Sequence, residues 1–298
     1  DPNVGVVTVP DERLDKLAKM SKSAKVIPAI VEFYDIAGLV KGASTGEGLG
    51  NQFLTHIRET DAIVMVLRVF KNEEIIHVEN SVDPVRDLEI INMELALKDL
   101  DTIEKAMKRL EGEAKIGNKD AVKALESLKV IKPILEFGKP VSRIDSNVLE
   151  NIRMRELNLL SAKKQIYLLN GKPEDVSEEL KKKIADIGAS FVVADLSNAS
   201  DIPELVKKAY EVLGLISFFT TGEDETRAWT IKKDSKAPQA AGAIHTDFEK
   251  KFIRAEVVNW QKLLEATSWS ASKQKGWLRL EGKDYVVQDG DVIEVRHG

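Results

Sequence analysis

Apolar positions along this chain follow two rhythms. Val4–Val9, Ile30–Tyr34 and Ala62–Phe70 are short runs rich in Val, Ile and Leu, and they predict strands. Between them, Asp11–Met20, opened by Pro10-Asp11, and Asn51–Thr60 predict helices. Strand and helix in alternation predict a parallel sheet covered by helices. The same grammar returns at Gln165–Leu169 and Phe191–Ala194, with a lysine-rich helix, Val176–Ile187, between them. One α/β domain, spanning residues 1–82 and 161–214, is therefore expected to be split by an insertion.

The insertion, residues 83–160, carries a helical rhythm. Leu100, Ile103, Met107, Leu110 and Ala114 step by three and four, Gly117-Asn118 breaks the chain, and Ala121, Leu125, Leu128, Lys132 and Leu135 nearly repeat the pattern. Two such helices joined by a short turn predict an antiparallel hairpin packed like a coiled coil. The stripes are expected to bury each other, and Lys115, Lys119 and Lys123 leave partner binding at the tip open. The last region, residues 215–298, is rich in strand patterns. Tyr285–Val295 has alternating apolar residues around Asp289-Gly290, which predicts a β-hairpin.

Composition narrows the classes. The chain has 298 residues, enough for two or three cores, and 43% hydrophobic with 31% charged residues marks a globular protein. With no Cys and four His, disulfides and thiolate metal sites are excluded and a zinc site is disfavoured. No apolar run approaches the roughly 20 residues needed to span a bilayer, so a cytoplasmic location is expected. A net charge of −5 argues against a surface coated for nucleic acid.

The candidate chemistry begins at Asp35. An Asp at the tip of an apolar strand, with Gly38 three residues on, suits a phosphate-hydrolysing switch. The carboxylate can hold Mg²⁺, largely through water, and the glycine amide can approach a terminal phosphate with no Cβ in the way. Five of the eighteen glycines fall between Gly38 and Gly50. Taken alone, Asp-x-x-Gly also describes an ordinary tight turn.

The stretch from Asp35 to Glu59, which includes Gly48-Leu-Gly-Asn-Gln-Phe-Leu-Thr-His-Ile-Arg-Glu, resembles the switch II region of the YchF / Obg-like ATPases, a branch of the P-loop GTPase superfamily. Asp1-Pro-Asn-Val-Gly-Val-Val, Thr226-Arg-Ala-Trp-Thr and Ala237-Pro-Gln-Ala-Ala-Gly-Ala-Ile-His-Thr-Asp-Phe-Glu-Lys carry the same likeness, in the family's order. The resemblance implies a P-loop NTPase-type sheet interrupted by a coiled-coil hairpin, followed by a TGS domain of ubiquitin-like β-grasp fold. It implies ATP or GTP as substrate, Mg²⁺ as cofactor, and a ribosome or RNA partner reached through the TGS domain and hairpin.

Several family positions can be placed in this chain. Leu39 stands where ordinary GTPases carry a Gln that orients water, so His77, in Ile75-Ile-His-Val, is the candidate catalytic residue; His56 is the weaker rival. GTPases read guanine with Asn-Lys-x-Asp, and this family has Asn-x-x-Glu instead. Here Asn170-Gly-Lys-Pro-Glu puts Pro173 in the acid's place and Glu174 one position late. Loss of the guanine-reading acid favours ATP, with the nucleotide expected near Asn170, Gly171, Lys172 and Ser197. Asn198–Asp201 sits where the family has a longer segment.

No stretch fits Gly-x-x-x-x-Gly-Lys-Ser/Thr: Gly138, Gly171 and Gly282 precede Lys but have the wrong follower. The chain opens inside what resembles the end of switch I, so the P-loop and the switch Thr are expected to lie outside these residues, and these residues alone are expected to be inactive. If RNA binds the last region, Lys250, Lys251 and Arg254 beside Phe248 and Phe252 would carry it. Thirteen basic and thirteen acidic side chains balance from 215 to 298, so charge gives RNA little support and a folded interaction module is the safer expectation, with the rings read as core and the amines as solvated. The leading function is an ATPase acting as a nucleotide-dependent switch; the rival is a non-catalytic ribosome, RNA or protein binding module.

Overall fold

The computed structural model describes residues 3–35, 56–71, 81–142, 144, 148, 152–198 and 202–298. The chain divides into two compact units, one of residues 1–4 and 34–208, the other of residues 5–33 and 209–298. The fold class is α/β, as expected: a parallel sheet interrupted by a long helical hairpin, followed by a C-terminal domain built on a mixed sheet.

The strands in chain order are β1 Asn3–Thr8, β2 Lys25–Ile27, β3 Ile30–Asp35, β4 Ala62–Arg68, β5 Lys164–Asn170 and β6 Ser190–Ala194. They continue with β7 Leu215–Thr221, β8 Glu225–Lys232, β9 Phe252–Asn259, β10 Arg279–Glu281 and β11 Asp291–His297. The helices are α1 Glu12–Ser21, α2 Pro84–Lys115, α3 Lys119–Glu136, α4 Ile152–Leu157 and α5 Glu178–Asp186. After them come α6 Ile202–Leu213, α7 Ala237–Ile244, α8 Thr246–Lys250, α9 Trp260–Ala266 and α10 Trp269–Gln274.

In the first unit β4, β5 and β6 form a parallel sheet in that order. Central β5 is buried from Gln165 to Leu169, the continuous burial expected of a strand covered on both faces. Its core gathers Met65, Leu67, Leu95, Tyr167 and Leu169 with Leu180 and Ile184 of α5. Ser177 caps α5 by accepting the Leu180 N–H, and Glu178 and Glu179 sit favourably at its positive end. The helix predicted at Asn51–Thr60 is seen as residues 56–59, with 51–55 outside the described residues.

The insertion is a hairpin of α2 and α3. Asp83 caps α2, with Pro84 at its first position, and 32 residues make it about 48 Å long. Gly117, with φ +86°, turns the chain, and Asn118 Oδ1 then caps α3 by accepting from Asp120 and Ala121 N–H. Ile103, Leu110, Leu128, Ile131 and Leu135 are fully or almost fully buried between the helices, each contributing roughly 1.5–3 kcal/mol. Ala106, Ala121 and Ala124 occupy the same core and leave room for close approach. Lys132 is not in the stripe, as its spacing suggested; its ammonium pairs with Glu104 of α2 at 3.0 Å, because the charge must stay in contact with water.

In the second unit a six-stranded sheet runs β10-β9-β11-β7-β8-β2. β7 and β8 form an antiparallel pair, and β11 lies between β9, antiparallel, and β7, parallel. α7 covers the sheet with Ala237, Ala240 and Ala241 packed among Phe218, Val257 and Ile293. The hairpin predicted across Tyr285–Val295 does not form. Gly290, with φ +86°, donates its N–H to Ser217 O, and the Tyr285 hydroxyl donates to Asp291 at 2.6 Å. The turn feeds β11 into a slot where both its edges are occupied by other strands, leaving Val286 only an isolated bridge to Lys236.

The structure divides the first 82 residues differently from the sequence reading. Residues 5–33 belong with the second unit, where Val26 of β2 pairs in parallel with Thr226 of β8. Ser23 Oγ lies 2.7 Å from Thr226 Oγ1, and Arg13 donates to Asp289 at 2.7 Å. The hairpin likewise belongs to the first unit rather than standing apart. Among the described residues, no helix is long and apolar enough to cross a membrane.

Candidate nucleotide-binding site

In a parallel sheet the carboxyl ends of the strands lie together, and ligands sit in the loops that leave them. Here Arg68, Asn170 and Ala194 end β4, β5 and β6 in one register row. The backbone carbonyl of Asn170 accepts the Val69 N–H at 3.0 Å, and Gly171 donates its N–H to Ala194 O at 3.2 Å. Asn170 Oδ1 accepts the Leu196 N–H at 3.1 Å, so the loops after β5 and β6 are held together by one side chain.

Gly171 is required by its surroundings. Its φ is +151°, and a Cβ there would lie 2.6 Å from Val69 Cγ2. Lys172 is exposed, with its N–H donated to Asp175 Oδ2 at 3.0 Å, which closes the short 3₁₀ turn Pro173–Asp175. Pro173 starts that turn, and Glu174 is exposed on it.

The last loop is organised by Asp195. Its Oδ1 accepts the Ser197 hydroxyl at 2.6 Å and the Ser197 N–H at 3.0 Å. These bonds, and then the Lys172 ammonium, hold the Asp195 carboxyl below its ordinary value. The structure thus brings together Asn170, Gly171, Lys172 and Ser197 in two adjoining loops. Asp195 was missed from the sequence; its signal is an Asp directly after the apolar run of β6. Arg68 was missed too: its Nε donates to Phe70 O at 3.1 Å and its guanidinium covers the Phe70 ring, shaping the turn after β4.

Asp35 is exposed at the end of β3, which pairs with β1 in a two-stranded sheet separate from β4-β5-β6. A single exposed carboxylate suits Mg²⁺, which takes one or two carboxylates and completes its shell with water and phosphate. Among the described residues no three His, Cys, Asp or Glu side chains converge on a metal position. Gly38 and His77 lie outside the described residues. His56 is half-buried at the start of the 56–59 helical turn, whose Ile57 is anchored in the core.

The RNA patch considered for the last region is not assembled. Phe252 is 4% exposed in the core, and Phe248 stacks on His297 with ring centroids 4.1 Å apart. Lys250, Lys251 and Arg254 are exposed, whereas Phe252 belongs to the core and Phe248 packs partly against it, as apolar burial favours.

Comparison with known proteins bears on this geometry. Residues 215–298 match the family YchF-GTPase_C, described as "Protein of unknown function (DUF933)". The chain is 42% identical to the ribosome-binding ATPase YchF of Bacillus subtilis (strain 168) over 326 aligned positions, covering 99% of this chain and 89% of that protein. It is also 42% identical to Obg-like ATPase 1 of Oryza sativa subsp. japonica, covering 98% of this chain and 82% of that one. The solved structure of the Schizosaccharomyces pombe YchF GTPase matches with a TM-score of 0.84 at 37% identity, over 99% of this chain and 88% of that chain.

Proposed function

The chain belongs to the YchF family of Obg-like ATPases, and on that premise we propose that it is a ribosome-linked ATPase in which bound nucleotide sets a conformational switch. The observation that carries this reading is the 42% identity to ribosome-binding ATPases along 99% of the chain. The nucleotide is placed over the loops at Asn170, Gly171, Lys172 and Ser197.

ATP is favoured over GTP. Guanine N1 and N2 donors need an acid, but Pro173 occupies that place and Asp175 is engaged with the Lys172 N–H. Asp35 would hold Mg²⁺ through water, and the ion would supply positive charge against the phosphate groups during hydrolysis. Gly38 offers its amide to the terminal phosphate. Leu39 cannot take or give a proton, so His77 orients or deprotonates the attacking water.

Residues 1–298 contain no Gly-x-x-x-x-Gly-Lys-Ser/Thr loop, so by themselves they are expected to bind ATP weakly or not at all. The last domain, read as a TGS module, and the hairpin would report nucleotide state to the ribosome in the cytoplasm. Calorimetry and single-turnover hydrolysis with ATP and GTP, on residues 1–298 and on a form carrying a phosphate loop ahead of Asp1, test the reading. Expected are ATP binding and turnover by the extended form, with ATP bound at least about tenfold tighter than GTP. Absence of turnover in the extended form would leave a binding module.

A further inference from the structure

A pocket of about 410 Å³ opens on the first unit where α2 passes the 56–59 helical turn. Among the described residues four cations line it, Arg58, Lys98, Lys105 and Arg109, against one carboxylate, Asp101. Lys98, Thr102, Lys105 and Arg109 are spaced by four, three and four residues, so they form one stripe along α2 of about 16 Å. Arg58 is half-buried among them. Its Nη2 donates to Thr102 Oγ1 at 3.1 Å, and its buried Nε has no hydrogen-bond partner among the described residues. A buried donor left unpaired is uncommon and marks a place where an acceptor would be welcome.

The field in the pocket is positive. The Asp101 carboxyl is held below its ordinary value by its bond from Lys105, with Lys105, Lys98 and Arg58 all acting in the same direction. Two ion pairs there, Lys105 to Asp101 at 2.8 Å and Arg109 to Glu113 at 3.8 Å, join neighbouring turns of α2 through largely exposed cations, and such pairs yield readily to a phosphate. Among the described residues no ring lines the pocket, so none of them can stack a base there.

We propose that this pocket seats consecutive phosphates of an RNA strand, gripped by the Lys98–Arg109 stripe and by Arg58. The inference rests on the ribosome-binding part of the reading above and gives it a contact surface. An RNA backbone is favoured over a free polyphosphate because the cations are drawn out in a line along the helix. Recognition is of backbone alone, hence indifferent to sequence and steeply dependent on salt. Arg58 belongs to the helical turn that follows the glycine-rich loop, so the RNA would touch the segment that the nucleotide is proposed to move.

The test is fluorescence anisotropy with a short labelled oligouridylate, comparing the protein with Lys105→Gln/Arg109→Gln and with a charge-matched control on exposed lysines of α5 and α6, Lys182→Gln/Lys207→Gln. Lys105 and Arg109 are exposed, so the pocket variant is expected to keep the parent's melting temperature. Expected is a roughly tenfold or greater loss of RNA affinity for the pocket variant and less than about twofold for the control. The slope of log K against log salt should shrink by about 1.4, or about 0.7 for each phosphate no longer neutralised. Equal affinity of parent and pocket variant, or an equal loss in the control, overturns the proposal. Pyrophosphate binding that is lost in the pocket variant while RNA affinity is unchanged assigns the pocket to a free polyphosphate and overturns it too. Pelleting of the parent with ribosomes is read separately: if it pellets while the pocket variant's RNA affinity is unchanged, this proposal falls and the broader function stands.

Discussion

Asn170 Oδ1 accepts the Leu196 N–H at 3.1 Å, and that bond ties the loop leaving β5 to the loop leaving β6. The proposed nucleotide therefore rests on two loops that share one fastening. Asn170→Ala removes a hydrogen bond worth about 1 kcal/mol and frees the second loop. ATP affinity is expected to fall about fivefold, with the melting temperature lowered by about 2–4 °C, as read by calorimetry and thermal denaturation.

Gly171→Ala is expected to destabilise the first unit by about 2–3 kcal/mol, since strain at positive φ adds to a steric clash. The added Cβ would meet Val69 Cγ2 at 2.6 Å while the backbone stays at φ +151°. Denaturant titration checks this, and Val69→Ala in the same chain should restore only part of the loss, because the backbone strain persists.

Asp99 of α2 is fully buried and fastens the hairpin to the chain entering β5. Its carboxylate accepts the Leu160 N–H, the Ser161 N–H and the Ser161 hydroxyl, all at 2.6–2.8 Å. Asp99→Ala leaves those donors buried and unpaired and is expected to cost about 3 kcal/mol. Burial raises the carboxyl above 3.8, outweighing these bonds and the nearby Arg58. A raised folded value means the folded state holds the proton longer than the unfolded chain does. The stability Asp99 contributes is thus fullest below 3.8 and is lost as pH rises through its folded value. Relative to Asp99→Asn, the parent should lose stability as pH rises through that window; a constant difference between the two would contradict this assignment.

His77→Ala, in a form able to turn over ATP, is expected to slow single-turnover hydrolysis by about 10²–10⁴-fold with little change in ATP affinity. An unchanged rate would return His77 to a structural part.

What the sequence made legible was local. The α2–α3 hairpin announced itself because Leu100, Ile103, Leu110, Leu128 and Leu135 repeat within a few turns of each other, and all lie in its core or packed against it. β2 left no such trace: it has three residues, and its partner Thr226 is 200 positions from Val26. The placement of residues 5–33 depends on that long-range pairing, so the strand and helix periods around it could not reveal it. Tyr285–Val295 misled for a related reason. A hairpin pattern and a strand inserted between two distant strands share the same alternation, and only β7 and β9 decide between them. At the candidate site, Asn170 and Gly171 stand out by motif, whereas Asp195 is fastened by bonds to its own loop and has no spacing signature.

Calorimetric titration of Mg·ATP into a form carrying the phosphate loop, with Asp35→Ala and Asn170→Ala alongside, reaches the core of this account. The expected result is measurable ATP binding by the parent, weakened more than about tenfold by Asp35→Ala and about fivefold by Asn170→Ala. Equal affinity in all three proteins would contradict it and place the nucleotide elsewhere.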